Sequence, residues 1–290
     1  MSLPQSRQQI AADIAARTAQ HQTAIANAMA GGVFSQPNRP LNLLADGDSW
    51  FDYPLGGTLP MVDHTDIIAQ LPSLCAQKPF ILKLAHYGDV TTAELGLTRV
   101  KNIQSAIQNP ANGPFDAILF SGGGNDIVGD PFCIWLKDAV AVASKPASGL
   151  DPDRFPAVLQ LVKASYLDLI DLRNNLLPGA PIIVHGYDFA IPSGTGAPCG
   201  IGPWLKPALD YCGWTDPVAA AQIVHDALSQ FAAMLQLLAS VPGNNMIYVP
   251  TQGTLVAAEW ANELHPIPSG FQKIAAKFQT ALAAKFPGRA

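Results

Sequence analysis

Ser49 stands between Asp48 and Trp50 in the stretch Leu43–Pro54, LLADGDSWFDYP, where an apolar run breaks into Asp-Gly-Asp. A hydroxyl there can serve a turn or cap a helix, and it can also act as a nucleophile. Nucleophilic acyl transfer needs a base for the serine proton and donors for the oxyanion. His265, in WANELHP (Trp260–Pro266), is a candidate base in a loop stiffened by the following proline. Gly88, in HYGD, allows a backbone N–H to approach a ligand closely, and Asn125, in GGGND, offers a neutral amide donor. Taken alone, Ser49 is a turn residue. The four together do chemistry only if the fold brings distant segments to one place.

The elements that would do so are legible as alternating patterns. Five short runs rich in Ile, Leu and Val occur at 41–46, 80–85, 115–121, 181–186 and 245–250, four of them ending in Gly, Pro, Asp or Ser. Helical patterns lie between them at about 64–77, 92–108, 155–176 and 217–240, with a last one at 268–285. Strands alternating with helices predict a parallel sheet covered on both faces, and near-continuous apolar strands fit that burial. Ligands bind such sheets beyond the carboxyl ends of the strands. The polar clusters fall there: 47–49, 86–89, 122–126, 187–188 and, before the final helix, 260–266. In a 2-1-3-4-5 strand order, the loops carrying Gly88 and Asn125 flank Ser49. Trp50, Tyr87, Tyr187 and Asp188 are candidates for lining a substrate pocket.

Outside this core, residues 1–40 are expected to form a helical arm, with Ile10, Ile14, Ile25 and Met29 at near-helical spacing and Gly31-Gly32 as its stop. Residues 187–217, dense in Pro, Gly and aromatics, are too long for an idle loop and are expected to form a cap-like insertion. The main domain then runs over 41–290. The net charge of −5 gives no basic footprint for nucleic acid or anionic lipid. No window predicts a membrane span, and the N-terminus lacks a basic start and an unbroken apolar core, so the expected location is cytoplasmic. Cys75, Cys133, Cys199 and Cys212 form no C-x-x-C pair, and the reading is of separate reduced thiols, with a Cys199–Cys212 bridge left open. The three glycines at 122–124 lack the Lys-Ser/Thr ending of a phosphate-binding loop.

The blocks DGDSWF, YGDVTT, GGGND and NELHP, in this order, resemble the four sequence blocks of the SGNH (GDSL) hydrolases over about residues 41–285. The resemblance implies a flavodoxin-like three-layer α/β/α sandwich with a five-stranded parallel sheet. It implies hydrolysis of carboxylic esters, of small molecules, acylated sugars or lipids, without a metal or other cofactor. It makes Ser49 the nucleophile and His265 the general base, with the Ser49 N–H, Gly88 N–H and Asn125 amide as the oxyanion hole.

One position departs from the family. An Asp is expected three residues before the histidine, and Asn262 stands there. An amide carbonyl can orient an imidazole but cannot neutralise it. Asn262 is the favoured orienting group, with Glu263, Glu259 or a backbone carbonyl as alternatives. Two rival functions follow. One is a hydrolase fold reduced to a binding protein by loss of the acid. The other is a phosphatase using Asp46 and Asp48 as a D-x-D pair, which lacks the Thr or Val expected at position 50 and a later pair of adjacent acids.

Overall fold

The computed structural model describes residues 7–53, 66–87, 96–197 and 200–290. Five strands form one parallel sheet: β1 (Asn42–Gly47), β2 (Phe80–Lys83), β3 (Ala117–Ser121), β4 (Ile182–His185) and β5 (Met246–Val249), in the order β2-β1-β3-β4-β5. The architecture is the expected α/β sandwich. β1, β3 and β4 are buried along their whole length, which is why their sequences are unbroken aliphatic runs rather than alternating ones.

The helices are α1 (Arg7–Ala30), α2 (Ile67–Leu74), α3 (Leu97–Gln108), α4 (Gly124–Ile127), α5 (Arg154–Leu176), α6 (Lys206–Tyr211), α7 (Pro217–Ala239) and α8 (Pro268–Lys285). α2 packs on α8 in one layer, while α3, α5 and α7 pack in sequence in the other. The long helices begin where the chain offers caps or a proline. Asp216 accepts from the Ala219 N–H at 2.8 Å before Pro217, and Pro268 opens α8. α1 lies along edge strand β2. It is tied to the loop carrying Ser49 by charge: Arg17 donates to the Ala85 carbonyl at 3.0 Å and pairs with Asp52 at 3.2 Å, and Lys83 of β2 meets the same carboxylate at 2.7 Å. Among the described residues, no helix is long and apolar enough to cross a membrane.

The segment 128–153 has no counterpart in the sequence pattern. It is an irregular stretch with two short 3-10 turns, Asp130–Trp135 and Pro146–Ser148, and it packs on the insertion at 187–217. The Ala139 N–H donates to the Cys212 carbonyl at 2.9 Å, the Gly129 N–H to the Trp204 carbonyl at 3.0 Å, and the Trp214 indole to the Lys137 carbonyl at 2.8 Å. Trp214 is fully enclosed, whereas Trp204 stays partly open. Cys75, Cys133 and Cys212 are free thiols, and Cys199 lies outside the described residues.

The ends of β1 and β3 set the position of Ser49. Gly47 pairs with Ser121 at φ +142, and a Cβ on Gly47 would stand 2.1 Å from the Ser121 carbonyl oxygen. Only glycine fits, because both the backbone conformation and the approach of the neighbouring strand exclude a side chain. Gly47→Ala is expected to cost more than about 2 kcal/mol. A melting curve followed by circular dichroism checks this; an unchanged midpoint would contradict the close approach.

Candidate active site

The chain leaves β1 through a tight turn in which the Phe51 and Asp52 N–H groups both donate to the Asp48 carbonyl, at 3.0 and 3.1 Å. That turn holds Ser49 at the carboxyl edge of the sheet, where it is 8% exposed. The loop before α8 delivers the partner. Its two sides bridge at Trp260 and Pro266, and the Ala261 N–H donates to the His265 carbonyl at 2.8 Å. The result is a contact between residues 216 positions apart: Ser49 Oγ and His265 Nε2 are 2.6 Å apart.

The far side of the imidazole settles which ring nitrogen carries the proton. His265 Nδ1 lies 3.0 Å from Asn262 Oδ1. The backbone N–H groups of Leu264 and His265 also donate to this oxygen, at 3.0 and 2.9 Å. Two fixed donors require an acceptor, so the carbonyl rather than the NH2 of Asn262 faces His265. The NH2 in turn donates to the Tyr53 hydroxyl at 3.0 Å. His265 Nδ1 therefore carries the proton, and Nε2 presents its lone pair to Ser49. Burial pulls the His265 pKa down from 6.5 to about 3. Tyr53 stacks on the imidazole with ring centres 4.5 Å apart, and Trp204 meets it edge-on at 5.5 Å.

The two glutamates weighed as substitutes for Asn262 are engaged elsewhere. Glu259 pairs with Lys273 at 2.7 Å and caps the Val256 N–H at 3.0 Å. Glu263 points away into the insertion, where its carboxylate accepts from four backbone N–H groups: Gly194 at 2.9 Å, Trp204 at 2.6 Å, Leu205 at 2.7 Å and Lys206 at 3.1 Å. Nothing in the sequence pattern marked Glu263 as the clasp of the insertion. Its burial in a loop next to the site is visible only in three dimensions.

Behind Ser49 lies a second polar network. Asp48 accepts at Oδ1 from the Trp50 N–H at 3.0 Å and the Ser121 hydroxyl at 2.8 Å, and at Oδ2 from the Tyr187 hydroxyl at 2.6 Å. His185 Nε2 contacts Ser121 Oγ at 2.9 Å, while the Tyr187 N–H donates to His185 Nδ1 at 3.2 Å. The donors therefore run in one direction: His185 Nε2–H to Ser121, Ser121 to Asp48. His185 is neutral, with burial lowering its pKa to about 3, and burial raises that of Asp48 to about 6. Tyr187 adopts a left-handed backbone, φ +57, and its hydroxyl also accepts from the Gly124 N–H at 3.0 Å. A Cβ on Gly124 would sit 2.7 Å from the Tyr187 ring, which is the reason for glycine there.

The expected pocket residues divide. Ser49, Trp50, Asn125, Tyr187, Asp188 and His265 line one recess. Asp188 only walls it, because its carboxylate accepts from the N–H groups of Phe189, Gly253, Thr254 and Leu255 at 2.6–2.9 Å. Tyr87 stacks on His86 at 4.3 Å and does not line this recess. Gly88 falls outside the described residues. Tyr53 holds Asn262 and stacks on His265, a role that the sequence does not signal, because a tyrosine four residues beyond a serine carries no pattern. Among the described residues, no group of three or more His, Cys, Asp or Glu is arranged to hold a metal ion.

Fold and site together define an α/β/α protein with a Ser–His–Asn array at the carboxyl edge of its sheet. No protein-family profile matches the sequence, and no curated protein matches it. Solved structures do match by shape. The extracellular lipase from Streptomyces rimosus aligns with a TM-score of 0.52 at 17% identity, over 83% of this chain and 99% of its own. An acetyl xylan esterase from Butyrivibrio proteoclasticus aligns at 0.48 and 13% identity, over 86% of this chain and 65% of its own. A family 3 carbohydrate esterase from Talaromyces cellulolyticus aligns at 0.45 and 12% identity, over 85% and 98%. The likeness to the Streptomyces lipase shows a shared fold, the one implied by the four sequence blocks.

Glu263→Gln tests the clasp. A Gln NH2 would face two of the four N–H donors, and each buried donor left without an acceptor costs about 1–3 kcal/mol. The expected outcome is a melting point lowered by several degrees and faster proteolysis within 190–215, followed by mass spectrometry.

Proposed function

We propose that this protein is a serine hydrolase of the SGNH (GDSL) type that cleaves carboxylic esters through an acyl-enzyme. The observation that carries the reading is the 2.6 Å contact between Ser49 Oγ and a His265 Nε2 left unprotonated by the Asn262 carbonyl. The shared fold of the Streptomyces lipase and the order of the four sequence blocks support it.

In the proposed mechanism Ser49 Oγ attacks the ester carbonyl carbon as its proton passes to His265 Nε2. The carbonyl oxygen becomes an oxyanion held by the Ser49 N–H and the Asn125 amide, with the Gly88 N–H as third donor. Collapse of this intermediate breaks the bond to the alkoxy oxygen, which takes the proton from Nε2 and leaves as the alcohol. Water then attacks the acyl-serine, giving its proton to Nε2. The second collapse frees the acid and returns the proton to Ser49. Asn262 keeps the ring in the working tautomer throughout but carries no charge to offset the imidazolium.

Ser49→Ala should abolish release of p-nitrophenol from short aryl esters, and a serine-directed phosphonate should label Ser49. Undiminished turnover in Ser49→Ala would sink the mechanism. The pH profile tests the neutral third member. With the His265 pKa below its ordinary value of 6.5, the base stays unprotonated as pH falls, so kcat/KM should hold through pH 5. Asn262→Asp places a carboxylate on Nδ1, favours the imidazolium and raises that pKa. Its acid limb should move upward while turnover at pH 8 rises by about 10–1,000-fold, within the roughly 10⁴ known for such exchanges. A gain at pH 8 marks a site weakened by its amide. No ester hydrolysis by either form would favour a binding protein.

A further inference from the structure

The recess beside Ser49 and His265 has an uneven build. Its lining joins the polar residues Asp48, Ser49, Asn125, Tyr187, Asp188 and His265 to a larger apolar set. The apolar set includes Ile127, Val128 and Phe132 from the segment after β3, and Val224, Ala227 and Leu228 from α7. The last three are spaced i, i+3, i+4, which places them on one helix face, and all are buried. The cavity itself measures about 40 Å³. A water needs about 10–15 Å³ on this measure and two to four polar partners, so the space holds about three water-sized groups. Its mostly apolar lining offers water few such partners. A methyl or methylene group is close to water in size and asks for no partner.

We propose that this recess is an acyl-binding site that admits short acyl groups, acetyl to butyryl, and that Val224, Ala227 and Leu228 set the limit. The proposal rests on the ester-hydrolase reading above and names its substrate class on the acyl side. An acyl group bonded to Ser49 Oγ would occupy this recess, which α7 walls with these three side chains. Past butyryl the tail outgrows a space of about 40 Å³. Trimming Leu228 extends the cavity, and adding methyl groups to Ala227 shortens it.

The experiment measures kcat/KM for the p-nitrophenyl esters of acetic, butyric, hexanoic and octanoic acids, with the full-length protein and the variants Leu228→Ala and Ala227→Val. Melting curves verify that each variant is folded. The expected result is a fall of at least tenfold from butyrate to hexanoate in the parent protein. Leu228→Ala should narrow that gap at least tenfold, and Ala227→Val should lower butyrate relative to acetate. The proposal is overturned if hexanoate and octanoate are cleaved as well as butyrate and neither variant changes the ratio. Loss of all turnover in Ser49→Ala would in that case leave the hydrolase reading standing. If the parent protein cleaves none of the esters and the phosphonate leaves Ser49 unlabelled, reading and proposal fall together.

Discussion

A buried carboxylate has to be surrounded by donors, and at Asp48, beside Ser49, that requirement organises the rim of the sheet. The side chain is almost fully enclosed. An unpaired charge there would cost several kcal/mol, enough to unfold a domain of ordinary stability. The donors come from three different strand ends: the Trp50 N–H after β1, the Ser121 hydroxyl closing β3, and the Tyr187 hydroxyl after β4. Satisfying one charge thus pins three loops to each other. Ser49 is the next residue along, so its position is fixed by a network it does not join. Asn125 is fixed the same way, since the Tyr187 hydroxyl that donates to Asp48 also accepts from Gly124.

The same economy appears in the loop before α8. His265 faces Ser49 and Asn262 backs its ring, while Glu263 between them faces the insertion and gathers four of its backbone N–H groups. The insertion and His265 are therefore held by neighbouring residues of one loop. Trp204, whose N–H is one of the four donors, also packs edge-on with the His265 imidazole. Any displacement of the insertion pulls on the loop that carries His265.

What the sequence made legible follows a physical divide. The five strands and the long helices could be read because burial on both faces, or on one stripe, leaves a periodic record. Predicted runs and observed strands agree to within a residue or two at most ends, and 217–240 and 268–285 match α7 and α8 closely. The strand order and the clustering of Ser49, Asn125 and His265 on one recess follow from that record together with the four blocks. Segment 128–153 left no such record, because irregular backbone is held by main-chain hydrogen bonds that any residue can make. Glu263 and Tyr53 were missed for a related reason. A glutamate accepting backbone N–H groups from 59 residues away, or a tyrosine holding an amide 209 positions distant, has no local pattern at all.

Asn262 raises a question of magnitude. Two jobs fall to the residue behind a catalytic histidine: fixing the tautomer and offsetting the charge that forms. The first is complete here, since the Leu264 and His265 N–H groups dictate which end of the amide faces Nδ1. The second is not. Loss of the charge is worth about 10⁴ in turnover where it has been measured, about 5.4 kcal/mol. The Tyr53 ring lies against the imidazole at 4.5 Å, and a cation over an aromatic face gains about 0.5–2 kcal/mol. That recovers a minor share of the deficit. A catalytic site built this way would keep its base neutral over a wide acidic range and lose speed, because a buried imidazole without a counter-charge accepts a proton reluctantly. Orientation without neutralisation is therefore the physical meaning of the amide at position 262, and under the proposed function it marks slow turnover rather than lost geometry.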